Sequence, residues 1–121
     1  MASIAIAKGV SIAPRKVSVV AALVRGRSVA DALVILEHTP RRASTAVAKA
    51  IKSAAANAEH NHNYKPQSLV ITELSVTAGP RLKRFMPVAR GMAHPYQKKT
   101  SHIRVVVDGE KREIKAKAKE A

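Results

Sequence analysis

The chain has 121 residues, a length that suits one compact domain. It carries 22 Lys and Arg against 8 Asp and Glu, which gives a formal charge of +14, and aromatic residues make up only 2% of it. The absence of cysteine excludes disulfide scaffolds, thiolate zinc sites and cysteine nucleophiles. Because so large a positive charge repels itself in a free protein, we expect a polyanionic partner that neutralises it.

The beginning of the chain predicts a strand followed by a helix. Apolar residues at even positions over 4–12 have the period of two that is typical of a strand, with an interruption at Gly9. Pro14 suits the first turn of a helix, where its missing N–H would be unpaired in any case. Helical spacing of apolar residues continues over 15–25, and Gly26 is a natural stop. The apolar positions of this helix are Val17, Val20, Ala21 and Val24.

Two more helices are predicted in the first half of the chain. Ser28, with Asp31 three residues later, resembles a capping box that opens the second helix. Thr39 and Pro40 predict the cap and the first-position proline of a third helix over about residues 41–60. One stripe of this third helix consists of small and branched apolar side chains: Ala43, Val47, Ala50, Ile51, Ala54 and Ala58.

The second half of the chain changes to strand character. Residues 69–77 are rich in β-branched side chains, and their spacing places Val70, Leu74 and Val76 on one face. Residues 103–107 form a second such run. Its apolar face is formed by Ile103, Val105 and Val107. Both runs are therefore predicted to be strands.

The segment between these strands, residues 79–101, contains no acidic residue, and the acid-free window extends over 74–107. A connection of this length without secondary structure is uncommon in a compact domain. Two interpretations remain: a solvated loop, or an extended arm that becomes ordered against a partner. An arm with about ten residues on each side, at about 3.3 Å per residue, would project about 30 Å. We favour the arm because no acid offsets its basic residues. In the wider window these are Arg81, Lys83, Arg84, Arg90, Lys98, Lys99 and Arg104.

Several stretches of the sequence resemble the family of ribosomal large-subunit protein number twenty-two. The residues that carry the resemblance are GPRLKRFMP at 79–87, ARG at 89–91, KKTSHIRVVV at 98–107 and ANAEHN at 56–61. Two shorter matches lie at 16–17 and 25–26. The resemblance covers about residues 4–108 and keeps the order of the predicted elements.

The resemblance implies an α+β fold, in which three helices pack on a small antiparallel sheet and a long β-hairpin protrudes. A single domain over 1–108 would include the hairpin at 79–101, and 109–121 would form a flexible tail of basic and mixed charge. The implied function is that of a structural component of the large ribosomal subunit, which binds the ribosomal RNA (rRNA), supports its assembly and lines the nascent-peptide exit tunnel. Neighbouring ribosomal proteins and the nascent polypeptide are then further partners.

Candidate RNA-binding residues lie on both the body and the hairpin, and RNA of complex shape is held mainly through phosphates. On the body they are the basic residues near the ends of elements: Lys8, Arg15, Lys16, Arg25, Arg27, Arg41 and Arg42. On the hairpin they are Arg81, Lys83, Arg84, Arg90, Lys98, Lys99 and His102. The tunnel-lining tip implied by the resemblance consists of Lys83, Arg84, Met86, Arg90, Gly91 and Met92. Val88 and Met92 stand where that family usually has basic residues.

Other functions find less support in the sequence. His60 and His62 have no carboxylate or cysteine arranged beside them, so we expect neither a metal site nor a cofactor there. The sequence contains no phosphate loop, nucleophile motif or acid–base pair, so we expect neither an enzyme nor a small-molecule substrate. The lack of a signal-peptide layout and of a spanning apolar run predicts a soluble, intracellular protein without a membrane partner. The resemblance implies that it is cytoplasmic and ribosome-bound. A general nucleic-acid-binding module, such as an architectural DNA protein, is the open alternative.

Overall fold

A computed structural model describes residues 3–110 of the protein, and over these residues the fold has three helices and five strands. In chain order the elements are β1 (Ser3–Val10), α1 (Pro14–Val24), α2 (Val29–Glu37), α3 (Arg42–Asn61), β2 (Val70–Ala78), β3 (Leu82–Pro87), β4 (Ala93–Lys98) and β5 (Ser101–Asp108). Short 3₁₀ turns lie at Pro66–Ser68 and Ala89–Gly91. The predicted α+β fold class is confirmed.

The main sheet has three antiparallel strands in the order β1–β5–β2, so that β5, the last strand among the described residues, lies in the centre. Alternate residues of β5 point to the core, and the predicted face of Ile103, Val105 and Val107 is fully buried. The helices cover this face: α3 lies against β1 and β5, and α1 lies against β2. The hydrophobic core therefore forms between one face of the sheet and the three helices.

Helical periodicity explains which residues of the helices enter the core. The buried residues of α1 are the four that were predicted. At the start of α2, the Ser28 hydroxyl oxygen accepts a hydrogen bond from the Asp31 N–H at 3.3 Å, which confirms the predicted cap. The apolar stripe of α3 is buried as predicted. Since four of its six members are alanine, α3 can lie close to the sheet.

The start of α3 differs from the prediction. The helix begins at Arg42, its cap residue is Arg41, and Pro40 lies outside it. The Thr39 hydroxyl donates to the Ile35 carbonyl at 2.7 Å, so it serves the end of α2 and does not cap α3. The capping prediction was wrong because a hydroxyl between two helices can bond either the carbonyls behind it or the N–H groups ahead of it.

Backbone irregularities shift both edge strands relative to the sequence pattern. In β1, the register with β5 shifts between Ala7 and Val10, where Gly9 has φ 67°, and pairing resumes at Val10. The even-numbered face of β1 is the outer one, and Ile4 and Ile6 are 44% and 53% exposed. The core is instead reached by smaller side chains, such as the buried Ala5.

In β2, a second register shift between Ile71 and Glu73 breaks the alternation of faces. Ile71 and Leu74 are buried as a result, whereas Val70 is 39% exposed. The prediction that Val70, Leu74 and Val76 share one face was therefore wrong at Val70. A bulge places two residues opposite one on the partner strand, which moves the residues beyond it to the other face.

The end of the described chain remains attached to the body. The Glu110 carbonyl accepts a hydrogen bond from the Lys65 N–H at 2.8 Å, and the Glu110 N–H donates to the Ser68 hydroxyl at 2.9 Å. The tail predicted over 109–121 falls outside the described residues from residue 111 onward. Its first two residues, Gly109 and Glu110, continue from β5 along the segment that leads into β2.

Candidate nucleic-acid interface

The strands β3 and β4 form a two-stranded antiparallel ribbon from the pair Leu82–Lys98 to the pair Pro87–Ala93. Every side chain of both strands is exposed. Phe85, an apolar residue that proteins usually bury, is 72% exposed here. The ribbon therefore has no hydrophobic core of its own, and its stability depends on the ladder between its two strands.

The tip of the ribbon is the turn over residues 88–92. The Val88 N–H donates to the Met92 carbonyl at 2.9 Å and closes the turn. Arg90 and Gly91 both have positive φ, at 62° and 69°. A left-handed backbone is uncommon for a residue with a side chain, and such strained positions occur frequently at functional sites. The turn presents the exposed Arg90 at the far end of the ribbon.

The predicted tip residues divide into two groups. Arg90, Gly91 and Met92 belong to the turn itself, and Met86 lies one pair before its end. Lys83 and Arg84 pair with Gln97 and Tyr96, in the half of the ribbon that is nearer to the sheet. They lie on the strand that leads to the turn, which begins only at Val88, and their tunnel-lining role stays a prediction.

Strand pairing divides the ribbon into two faces of different chemistry, because directly opposed residues point to the same side. We define the cationic face as Leu82, Arg84, Met86, His94, Tyr96 and Lys98, and the apolar face as Lys83, Phe85, Pro87, Ala93, Pro95 and Gln97. The cationic face carries two permanent cations, an imidazole and a phenol. The apolar face carries one cation and the most exposed aromatic ring.

On the body, a depression of about 260 Å³ lies where the first turns of α1 and α3 meet. It is lined by Lys16, Arg41 and Arg42 together with the loop before α1. Neither helix has an acidic residue in its first turn. Cations at a helix N-terminus oppose the helix dipole, so this arrangement is unfavourable until an anion is bound. A phosphate placed there would meet three cations at the positive ends of two helix dipoles.

Two lysines of α3 extend this basic surface, and the sequence reasoning missed them. Lys49 lines a groove between α2 and α3 of about 650 Å³. It also lines a second depression, of about 350 Å³, between the end of β1 and α3. Lys52, one turn later, lines the same α2–α3 groove. The signal that could have identified them is helical spacing: Arg42, Lys49 and Lys52 are seven and three residues apart and share one side of the helix.

Three of the predicted RNA-binding side chains also hold the fold together. Arg25 Nε donates to the Leu74 carbonyl at 2.8 Å, which ties the end of α1 to β2. Arg27 Nε donates to the Leu23 carbonyl at 3.0 Å and closes the last turn of α1. His102 Nδ1 accepts from the Gly9 N–H at 3.1 Å, in the bulged part of β1.

The predicted residues form separate groups on the surface. Lys16, Arg41 and Arg42 are brought together at the depression described above. Arg25 and Arg27 follow the opposite end of α1, about 14 Å further along the helix axis. Lys8 and Arg15 are exposed on β1 and in the first turn of α1. Within the acid-free window, Arg104 binds the Glu73 carboxylate at 2.8 Å.

Neither a metal cluster nor a membrane-spanning helix occurs in the part of the chain that the structure describes. Among residues 3–110, no group of three or more His, Asp or Glu side chains could hold a metal ion. None of the three described helices is both long enough and apolar enough to cross a membrane.

Comparison with known proteins identifies the family of the chain. The model of the family "Ribosomal protein L22p/L17e" matches residues 5–108. The chain is 54% identical over 101 residues to the large ribosomal subunit protein uL22 of Lactobacillus helveticus, which covers 84% of this chain and 86% of that protein. It is 50% identical over 107 residues to uL22 of Desulforamulus reducens, with 88% and 95% covered. The chain therefore belongs to the ribosomal protein L22p/L17e family.

Proposed function

We propose that the protein is a component of the large ribosomal subunit, where it binds rRNA, supports the assembly of the subunit and lines the nascent-peptide exit tunnel with the β3–β4 ribbon. Members of this family are structural proteins and not enzymes. The observation that carries the proposal is a fully exposed ribbon in a segment without acidic residues. A ribbon without a core gains stability from a partner, and the positive charge of this one favours a partner rich in phosphate.

The body attaches to rRNA, in this proposal, through the depression at the first turns of α1 and α3. An rRNA phosphate there relieves the repulsion among Lys16, Arg41 and Arg42 and lies at the positive ends of the α1 and α3 dipoles. Lys49 and Lys52 continue the same surface along α3 and would contact the next phosphates. The remaining predicted contacts on the body are Lys8, Arg15, Arg25 and Arg27.

The two faces of the ribbon suggest how it lies in the tunnel. The cationic face would contact the rRNA wall, with Arg84 and Lys98 on phosphates and the Tyr96 ring against an unstacked base. The apolar face would then border the lumen, where the nascent polypeptide meets Phe85 and the two prolines. Arg81 and Lys99 at the base, His102 beside them, and Arg90 at the tip complete the proposed contacts. This arrangement makes the protein ribosome-bound in the cytoplasm, beside neighbouring ribosomal proteins.

The direct test is the salt dependence of binding to a transcript of large-subunit rRNA. Counterion release makes the logarithm of the affinity fall with the logarithm of the salt concentration, in proportion to the number of phosphates that the protein neutralises. We expect the double substitution Arg84→Ala and Lys98→Ala, and likewise Lys16→Ala and Arg42→Ala, to reduce the slope by about one unit for each phosphate that is no longer neutralised. Because all four side chains are exposed, the body should remain folded in both variants.

The matched control is Lys65→Ala, because Lys65 lies away from both proposed surfaces and its ammonium is 3.6 Å from the Glu110 carboxylate. It should leave the slope unchanged. A duplex DNA of equal length, measured at the same salt concentration, distinguishes the architectural alternative. Equal affinity for DNA and rRNA, or equal slopes for the control and for both double variants, would contradict the proposed function.

A further inference from the structure

The junction between the sheet and the ribbon is the point where the ribbon is free to swing. The last pair of the β2–β5 ladder is Ala78–Ser101, and the first pair of the ribbon is Leu82–Lys98. Between these pairs, the connection from β2 to β3, the outgoing side, has three residues, 79–81. The connection from β4 to β5, the returning side, has two, 99–100. A ladder that is interrupted by connections of unequal length bends easily. The junction therefore needs additional hydrogen bonds if the ribbon is to leave the sheet in a single direction.

One buried hydroxyl supplies such a bond across the junction. The Thr100 hydroxyl donates to the Pro80 carbonyl at 2.6 Å, and the Gly79 N–H donates to the Thr100 carbonyl at 2.9 Å. Thr100 is only 7% exposed, although it lies next to a fully exposed ribbon. Pro80 has no N–H and cannot donate a ladder hydrogen bond. Its carbonyl, as the acceptor of the Thr100 hydroxyl, therefore makes the hydrogen bond between the two sides at this position.

Gly79 provides the space that this bond needs. A Cβ atom at position 79 would lie 2.6 Å from the Thr100 hydroxyl oxygen and 3.3 Å from the His102 ring. The next residue connects the returning strand to the body, because the fully buried Ser101 donates its hydroxyl to the Ile12 carbonyl at 2.9 Å. Two consecutive hydroxyls thus fix the base of the ribbon on one side to its outgoing strand and on the other side to the body.

We propose that Thr100 is a positioning residue, whose hydroxyl sets the direction in which the β3–β4 ribbon leaves the sheet before any partner is bound. A ribbon that already points in its bound direction loses less conformational freedom on binding than one that swings. The consequence for rRNA affinity rests on the proposed function, whereas the direction of the ribbon in the free protein does not.

The test measures that direction without RNA. The chain has no cysteine, so the exposed residues Ala30 in α2 and Ala89 at the tip can be replaced by cysteine to carry a single pair of spin labels. Electron–electron resonance then gives the distribution of distances between the body and the tip. In the Thr100→Val variant, which keeps the side-chain shape but loses the hydroxyl, we expect this distribution to broaden and its mean to shift.

Three further variants separate direction from general stability. Thr72→Val removes a comparable bond, from the Thr72 hydroxyl to the Val106 carbonyl at 3.1 Å, but within the sheet, and should leave the distribution narrow. Thr100→Ser keeps the hydroxyl and should do the same. Gly79→Ala displaces the Thr100 hydroxyl from the other side and should broaden the distribution, which keeps the test valid if Thr100→Val does not fold. An unchanged distribution in both Thr100→Val and Gly79→Ala would overturn the proposal.

The binding measurement adds a second readout. If the loosened ribbon points in the productive direction for about a tenth of the time, the affinity of Thr100→Val for the rRNA transcript falls about tenfold, while that of Thr72→Val does not change. A broadened distribution with unchanged affinity would refute the role of Thr100 in binding. Failure of the unsubstituted protein to prefer rRNA over duplex DNA would instead refute the proposed function and leave the distance result intact.

Discussion

At the scale of single residues, several side chains that the sequence marks as functional also hold the backbone. Arg25 reaches from the end of α1 to the Leu74 carbonyl, and His102 accepts a hydrogen bond from Gly9. Neither contact was predictable, because the acceptor or donor lies 49 residues away in one case and 93 in the other. Substitution of such residues changes the fold as well as the charge, so Lys16 and Arg42 are better probes of RNA binding.

Tyr64 is the largest fully buried side chain of the core, and its ionisation is linked to folding. Burial, and then the nearby Asp108 carboxylate, raise the pKa of its phenol above the ordinary value of 10.0. The raised pKa stabilises the folded state fully below the unfolded pKa, and this contribution is lost as pH rises through the folded value. We expect the free energy of unfolding to fall more steeply above about pH 10 in the unsubstituted protein than in Tyr64→Phe.

Urea denaturation of both proteins across the alkaline range measures this difference. All other ionisable side chains are common to both proteins, so their contributions cancel in the comparison. Parallel curves for the two proteins above about pH 10 would show that the phenol ionises as freely in the folded state as in the unfolded one.

At the scale of elements, the sequence predicts structure well where the pattern lies within one segment. It predicts structure less well where pairing with another strand sets the register or a bulge. The stripe of α3 and the alternation of β5 follow from periodicity within one segment, and both were predicted. The bulge in β2 depends on its pairing with β5, and the position of the ribbon tip depends on the register of β3 with β4. Lys49 and Lys52 were missed because a lysine on a helix surface is, by itself, an ordinary solvated side chain.

The small residues of α3 give a prediction about packing. Ala54 is fully buried in the core, so Ala54→Leu inserts three carbon atoms into a packed region, and we expect a loss of about 1–3 kcal/mol of stability. Ala56, two residues along the same helix, is exposed, and Ala56→Leu should change stability by less than about 0.5 kcal/mol. Urea denaturation measures both, and equal losses would contradict the tight packing of α3 at Ala54.

The ribbon gives a second prediction at this scale. Because β3 and β4 pair only with each other and bury no side chain, the ribbon opens locally at a low cost in free energy. Amide hydrogens of the ribbon, such as that of Tyr96, should exchange much faster in the free protein than those of Val105 in the central strand. Binding to the rRNA transcript should slow them. Equal protection in the free protein would mean that the ribbon packs on another part of the chain.

At the scale of the whole molecule, two surfaces each concentrate several of the basic residues that give the chain its +14 charge. One is the basic depression and the adjoining side of α3, and the other is the ribbon with its acid-free sequence. The apolar core between sheet and helices is built from small side chains and supports both surfaces. The molecule thus consists of a compact body and an extended ribbon. The basic surfaces of both parts suit RNA as a partner better than they suit another protein.

The most direct test of this account is a cryo-electron microscopy map of large ribosomal subunits that contain this chain. We predict that α1 and α3 lie against rRNA, with phosphate density at Lys16 and Arg42. We also predict that the β3–β4 ribbon lies in the exit tunnel, with Arg84 and Lys98 toward the RNA wall and Phe85 toward the lumen. Subunits that lack the chain, or a ribbon that lies on the outer surface of the particle, would contradict this account.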